Sequence, residues 1–240
     1  MSVTVPSIVV PAVIIRQPAP AATGLGEETV SRTLGITLDD TLASAQAKID
    51  SIGRLIPYGV TITVQFDNGA FSYAGNLDFA GFYGMGTLKV CSKGTTFVKH
   101  LTQPATLTIT SGYLRFINVH CDVFLQNMHI IGGVTLDGIR LAFIRYCYFD
   151  GAASTILTAS RGGYALLSEN YMTNTGILAS VIAEYGARVD LATSEGTGTA
   201  PTIGALARYG GVITLYDLLL SGSISSETGG MFIRSNGTIV

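Results

Sequence analysis

The sequence predicts an all-β chain wound as a parallel β-solenoid. Three observations lead there: a repeat in the low twenties, a turn-forming residue at one place in each repeat, and short strands without helical periodicity between the turns. Val181-Ile-Ala-Glu-Tyr-Gly-Ala-Arg-Val-Asp-Leu191 is matched one repeat later by Ala205-Leu-Ala-Arg-Tyr-Gly-Gly-Val-Ile-Thr-Leu215, and one repeat earlier by the frame from Leu157 to Leu167. Met231-Phe-Ile-Arg-Ser-Asn-Gly-Thr-Ile-Val240 extends the series after a slightly longer step. Gly162, Gly186, Gly210 and Asn236 then mark the turn, with Gly138 one coil earlier, and all are residue types that tolerate a left-handed backbone. Leucine-rich repeats share the period but need a Leu/Asn scaffold that this chain lacks.

In a parallel solenoid each residue stacks on its equivalent one coil away, at about 4.8 Å, so like must tolerate like. Val189, Leu191, Ile213, Leu215 and Ile239 hold alternating equivalent positions and form the predicted core ladder. Tyr185 over Tyr209 and Glu184 beside Arg208 make a candidate exposed ladder or interface, since a stacked surface position prefers opposite charges. A second repeat, in the same frame, sets Arg145-Tyr-Cys-Tyr-Phe-Asp-Gly151 against Glu169-Asn-Tyr-Met-Thr-Asn-Thr175, which brings Arg145 to Glu169.

Three segments are expected. Residues 1–36 carry prolines at 6, 11, 18 and 20 among Val, Ile and Ala; these forbid a regular helix or central strand and point to an extended docking arm. Residues 37–56 hold one helix, with Thr37 as N-cap, Asp39 and Asp40 in the first turn, Leu38, Leu42, Ala45, Ile49 and Ile52 at helical spacing, and Gly53 at its end. Such a helix covers the apolar core and free strand edge that a first coil exposes. Residues 57–240 form the solenoid, of seven or eight coils by the repeat.

Only 12% of residues are charged while 48% are hydrophobic, and the mean hydropathy is +0.44, so apolar surface covered by further copies of the chain is expected. A net charge of −2 without a basic run argues against a nucleic-acid partner. The apolar run from Ile8 to Ile15 is too short to span a bilayer, is broken by Pro11 and lacks a basic flank, so neither membrane insertion nor a signal peptide is expected. Cys91, Cys121 and Cys147 fall in no metal-ligand spacing and read as buried reduced thiols, and no cofactor is expected.

Catalysis finds little support in the residues. Glycoside hydrolysis needs two carboxylates facing one sugar, whereas Asp67, Asp78, Asp122, Asp137, Asp150, Glu169, Glu184, Asp190 and Asp217 read as spread over different coil positions. His100, His120 and His129 are not spaced as metal ligands and read as structural. Tyr146, Tyr148, Tyr164, Tyr185 and Tyr209 would suit binding of a surface glycan or protein if they face outward, and otherwise pave an interface between copies.

Residues 37–90, TLDDTLASAQAKIDSIGRLIPYGVTITVQFDNGAFSYAGNLDFAGFYGMGTLKV, carry a recognisable order of elements: a helix, the strand Val60-Thr-Ile62, a Gly-containing turn, a second strand, and the coil Gly81-Phe-Tyr-Gly-Met-Gly-Thr-Leu-Lys-Val90. This order resembles the start of the β-helical domain of many bacteriophage fibre and tail proteins, whose coil reads GFxGxGxLxV. Arg145-Tyr-Cys-Tyr-Phe149 is similar to the family's NCxF coils, with Tyr146 in place of the usual Asn. The resemblance covers roughly residues 37–240 and implies a pectin-lyase-like, right-handed parallel β-helix, commonly a parallel homotrimer.

The expected function is therefore a non-catalytic structural or adhesive component of a bacteriophage virion, as tail fibre, head fibre or capsid decoration, attached to other virion proteins through the N-terminal arm. A polysaccharide-binding or depolymerising tailspike module is the alternative. A bacterial surface adhesin is less favoured because no secretion signal is found. The chain reaches Val240 inside the strand of its repeat, and an open solenoid end needs a cover, so an obligate homo-oligomer, a trimer with parallel axes, is expected.

Overall fold

Alternation at period two builds the strands. In Thr61-Ile-Thr-Val-Gln-Phe66 the residues Ile62, Val64 and Phe66 are fully buried while their neighbours lie at the surface. The computed structural model describes residues 26–94, 105–150, 155–175, 179–192, 195–199, 203–216 and 223–234. Their strands form two sheets in which all paired neighbours run parallel, an all-β parallel β-helix.

The first sheet has nine strands, stacked in chain order: Arg32–Ile36, Thr61–Phe66, Tyr83–Ser92, His120–Gln126, Leu141–Arg145, Tyr164–Ser168, Arg188–Ala192, Val212–Tyr216 and Met231–Arg234. The second sheet has eleven. Its long strands Ala105–Ile117 and Met128–Asp137 turn a corner, so that Met128–Asp137 pairs with both Tyr148–Asp150 and Leu157–Ser160 of the next coil. Each full coil is thus three-sided around one core.

The core is a set of columns. Ile62, Leu88, Val123, Ala142, Ala165, Val189, Ile213 and Phe232 are successive register partners, none more than 1% exposed. Leu191 and Leu215 pair in the neighbouring column, Leu191 buried and Leu215 packed partly buried against the core. The last rung corrects the sequence reading, which put Ile239 beneath Ile213. Phe232 sits there instead. The reason lies on the opposite side of the coil, where Ile224 pairs with Ala205 and the turn at Thr228-Gly229 stands where Tyr209-Gly210 stands one rung before. This coil is therefore shorter than the one before it, where the repeat had suggested a longer one. Ile239 and the turn expected at Asn236 lie outside the described residues.

Three further expectations are corrected. The second repeat steps short of the frame, because Tyr148 pairs with Tyr171 rather than Met172, and Phe149 takes Met172, which keeps both apolar side chains of the latter pair buried. Arg145 nevertheless reaches Glu169, at 2.6 Å. The solenoid also begins earlier than residue 57, since Arg32–Ile36, assigned above to the arm, is the first rung and pairs with Thr61–Phe66. Residues 1–25 of that arm lie outside the described residues. The helix spans Leu42–Asp50 with Thr41, not Thr37, as its N-cap, the Thr41 hydroxyl accepting from the Ser44 N–H.

Asp40 stands before the helix and ties its entry together. Its carboxylate accepts from the Thr37 N–H at 2.7 Å, the Ser44 hydroxyl at 2.9 Å and the Lys48 ammonium at 2.5 Å. The buried face of the helix presents Ala45 and Ile49, followed by Ile52 just beyond it. Gln46 also contributes: its amide donates to the Asp78 carbonyl at 2.9 Å and accepts from the Asp78 N–H at 2.8 Å, the pair of bonds that an adjoining strand would make to Leu77–Ala80. In the coil Gly81 to Val90, close approach accounts for two of the glycines, for a Cβ at Gly84 would lie 2.2 Å from the Ile56 carbonyl oxygen and one at Gly86 2.4 Å from that of Pro57.

Ile213→Asp places an unpaired charge in the core column and should cost about 4 kcal/mol or more in a urea or thermal melt; a soluble protein that melts like the parent would break the assigned register. Acid should act through Asp40. Burial disfavours its carboxylate, but Lys48, the Thr37 N–H and the two hydroxyls outweigh it and hold the group down at about 2, below its ordinary 3.8. A depressed folded value gives stabilisation that is complete above the ordinary value and lost as pH falls through the folded one. Stability should therefore decline between about pH 4 and pH 2, and Asp40→Asn should flatten that decline by one proton's slope; an unchanged slope in Asp40→Asn would remove Asp40 from the account.

Candidate functional site

The surface feature built most consistently from coil to coil is the corner where the second sheet hands the chain back to the first. Two consecutive left-handed residues make the turn in four successive coils: Arg161 and Gly162, Tyr185 and Gly186, Tyr209 and Gly210, Thr228 and Gly229, with φ from 45° to 77°. The second of each pair is glycine, for which this backbone costs nothing. The first is not. A left-handed backbone costs a residue with a Cβ roughly 1–2 kcal/mol, and in the two coils before these the turn uses Asn118 and then Gly138, which bear it more easily.

The turn residues stack. The rings of Tyr185 and Tyr209 lie 5.0 Å apart and 9° from parallel. They are 56% and 44% exposed, so they face solvent in the described chain. Just before the turn Arg208 holds Glu184 at 2.8 Å and also lies over the Tyr209 ring, 5.4 Å from its centre. The candidate exposed ladder named from the repeat is therefore one contiguous cluster.

Reasoning from the repeat missed what lies beneath it. Asp137 pairs with Ser160, and Glu184, whose N–H donates to the Ala159 carbonyl, comes one rung later in the same column. The reading that the carboxylates are spread over different coil positions is corrected here, since Asp137 and Glu184 share a column two rungs, roughly 10 Å, apart. Asp137 accepts from Ser160 Oγ at 2.9 Å and from the guanidinium of Arg161, which also reaches Asn118 Oδ1 at 3.4 Å. Setting Ser160 on Asp137 would have revealed the set, but the repeat frame put Gly162 on Gly138 and hid it.

Between these groups lies an open cleft of about 490 Å³. Thr135 and Thr158, register partners, supply hydroxyls to its floor. Asp137, Ser160 and Glu184 line it from the next column, and Arg161 and Tyr185 from the turn. The arrangement offers hydroxyls, two carboxylates each engaged by a guanidinium, and one aromatic face.

The other titratable groups read differently. His129 is buried and lies edge-on to Tyr148 at 4.5 Å, with its Nδ1 3.4 Å from the Thr106 hydroxyl, and burial pushes its pKa down. His120 is exposed on the first sheet, and His100 lies outside the described residues. Burial raises the thiols of Cys121 to about 11 and Cys147 to about 12; all three cysteines are buried and unbridged. Among the described residues no group of His, Cys, Asp or Glu is arranged to hold a metal ion. On the first sheet Asp190 is drawn down, despite its burial, by Arg188 and Tyr164, while desolvation and the bond to Asp190 raise the Tyr164 hydroxyl to about 12. No helix in the described residues is long and apolar enough to cross a membrane.

No protein-family model, curated protein or solved structure matches the chain. The functional reading rests on the residues and their geometry.

Proposed function

We propose that this chain is a non-catalytic structural and adhesive component at the surface of a bacteriophage particle, as tail fibre, head fibre or capsid decoration, joined to other virion proteins through its apolar N-terminal segment. The observation that carries the adhesive part is the Tyr185–Tyr209 ladder, two large side chains held outward on a backbone that disfavours them. The particle as location rests on the resemblance of the helix and the Gly81 to Val90 coil to phage fibre proteins. A parallel β-helix suits the role because it is a rod whose surface columns repeat along its length.

A second reading, a depolymerising tailspike module, is favoured by the shared column of Asp137 and Glu184. Against it, a glycosidase acid is a carboxyl kept protonated in an apolar setting, whereas both of these carboxylates bind guanidiniums. Immunogold labelling of purified particles from a phage encoding this chain should decorate them, and the purified protein should leave the host's surface polysaccharide at full length. Unlabelled particles would overturn the location, and shortened polysaccharide would replace the first reading by the second.

The proposal includes self-association as a parallel homotrimer. On the outer face of the first sheet Phe124, Phe143 and Leu166 occupy one column over three rungs, with the two rings 4.8 Å apart. This stripe, in a chain with 12% charged residues, suits a second copy of itself better than water. Sedimentation should give three times the 25.1 kDa chain mass, and Phe143→Glu should shift it toward one; a stable one-chain particle at dilute concentration would refute the trimer.

A further inference from the structure

The stack of tyrosines ends abruptly, and the way it ends leaves a gap shaped for a ring. Tyr209 covers one face of Tyr185. On the other side the same turn position belongs to Arg161, whose side chain turns away toward the earlier coils, over Gly138, to bind Asp137 and Asn118. The guanidinium passes Gly138 at ordinary contact distance, for a Cβ added there would lie 3.8 Å from Arg161 Nη2, while it would press on Asn118 Oδ1 at 2.9 Å. The free face of Tyr185 thus looks onto the cleft, and Gly162 and Gly186 beside it leave the flank open, with nothing within 4 Å of an added Cβ.

What could fill the cleft follows from its chemistry. An aromatic face attracts a ring with polarised C–H bonds on one side. The hydroxyls of Thr135, Thr158 and Ser160 and the spare lone pairs of Asp137 and Glu184 require donors and acceptors distributed around that ring's edge. A purely aromatic ligand would leave them unpaired, whereas a pyranose satisfies both demands. Charge narrows the class further. Asp137 with Arg161 and Glu184 with Arg208 sum to zero, and the guanidiniums are already engaged, so a sugar carboxylate or phosphate would find no unengaged cation among these four and would meet two carboxylates.

We propose that the cleft binds a neutral saccharide, one pyranose stacked on the free face of Tyr185 and its neighbour running along the Thr135–Thr158 column. This rests on the adhesive reading and gives it a ligand class and an address. Opening the other end of the stack would not serve, because Tyr209 carries Arg208 over its ring.

The test uses saturation-transfer NMR on the whole protein with maltotriose, cellotriose, chitotriose and β-1,4-galactotriose, beside trigalacturonate as an acidic probe. At least one neutral probe should take up saturation at its ring C–H protons, and trigalacturonate should not. Tyr185→Gly suits the left-handed turn, so its fold is kept, and it should weaken binding roughly tenfold or more. Arg161→Tyr, which would extend the stack into the gap, should abolish binding while the melting temperature is held. No binding by any neutral probe, equal binding of the acidic probe, or undiminished binding by Tyr185→Gly would overturn the proposal. Particle labelling does not depend on these residues: labelled particles without saccharide binding would sink the cleft alone, and saccharide binding with unlabelled particles would sink the virion location alone.

Discussion

Everything in this molecule depends on parallel rung-to-rung pairing, which sets each residue beside its equivalent at about 4.8 Å. A side chain in such a stack must be compatible with copies of its own environment above and below. Inside, that condition is met by apolar columns such as Leu88, Val123, Ala142 and Ala165, where smaller residues follow larger ones without leaving the register. Outside, it is met by alternation of charge: Asp78 with Arg115, Arg145 with Glu169, and Glu184 with Arg208 join neighbouring rungs. Exposed ion pairs of this kind each contribute roughly 0–1 kcal/mol, so they steer register more than they hold the fold. The core columns hold it.

The same constraint creates the problem of the first coil. A rung at the start of the stack has partners on one side only, leaving backbone groups and apolar side chains open. The helix answers the apolar part with Ala45, Ile49 and Ile52, and the backbone part with the single carboxamide of Gln46 on Asp78. Glu28 adds a polar clasp, bridging Arg32 and the Gly53 N–H, and its pKa is lowered chiefly by Arg32. A helix can stand in for a strand because only a few edge groups need it.

The fold was legible because periodicity and turn type are local signals that the stack then enforces. Val181–Leu191 and Ala205–Leu215 sit in the register their spelling suggests. Legibility fails where coil length changes. Nothing local in Tyr148 or Tyr171 announces that the step between their coils is shortened, and Ser-Asn-Gly at 235–237 resembles a turn of the repeat while the turn in use is Thr228-Gly229. The helix start was misplaced because Thr37 and Thr41 are equally good caps by residue type; Asp40 decides between them by binding Thr37 and leaving Thr41 to Ser44. The exposed ladder was visible in the text, but the cleft was not, since Asp137, Ser160 and Glu184 come into one column only in the true register.

The turn column finally distinguishes what the fold needs from what it merely permits. Folding alone is served by Gly138 and Asn118, residues for which a left-handed backbone is cheap, and the early coils use them. Arg161, Tyr185 and Tyr209 meet the same geometry at a cost that glycine would avoid. Part of that cost is offset locally, by the Tyr185–Tyr209 stack and by the ion pairs of Arg161 and Arg208. Stacking between two exposed rings, however, stabilises by about the same amount as one left-handed tyrosine costs, so the pair brings the coil no net gain. Strain that stability does not explain is most economically explained by use. Left-handed residues bearing a Cβ also stand at Tyr146, Glu169 and Thr228, but at Arg161 and Tyr185 the strain coincides with an aromatic face, hydroxyls and balanced charges around an open cleft.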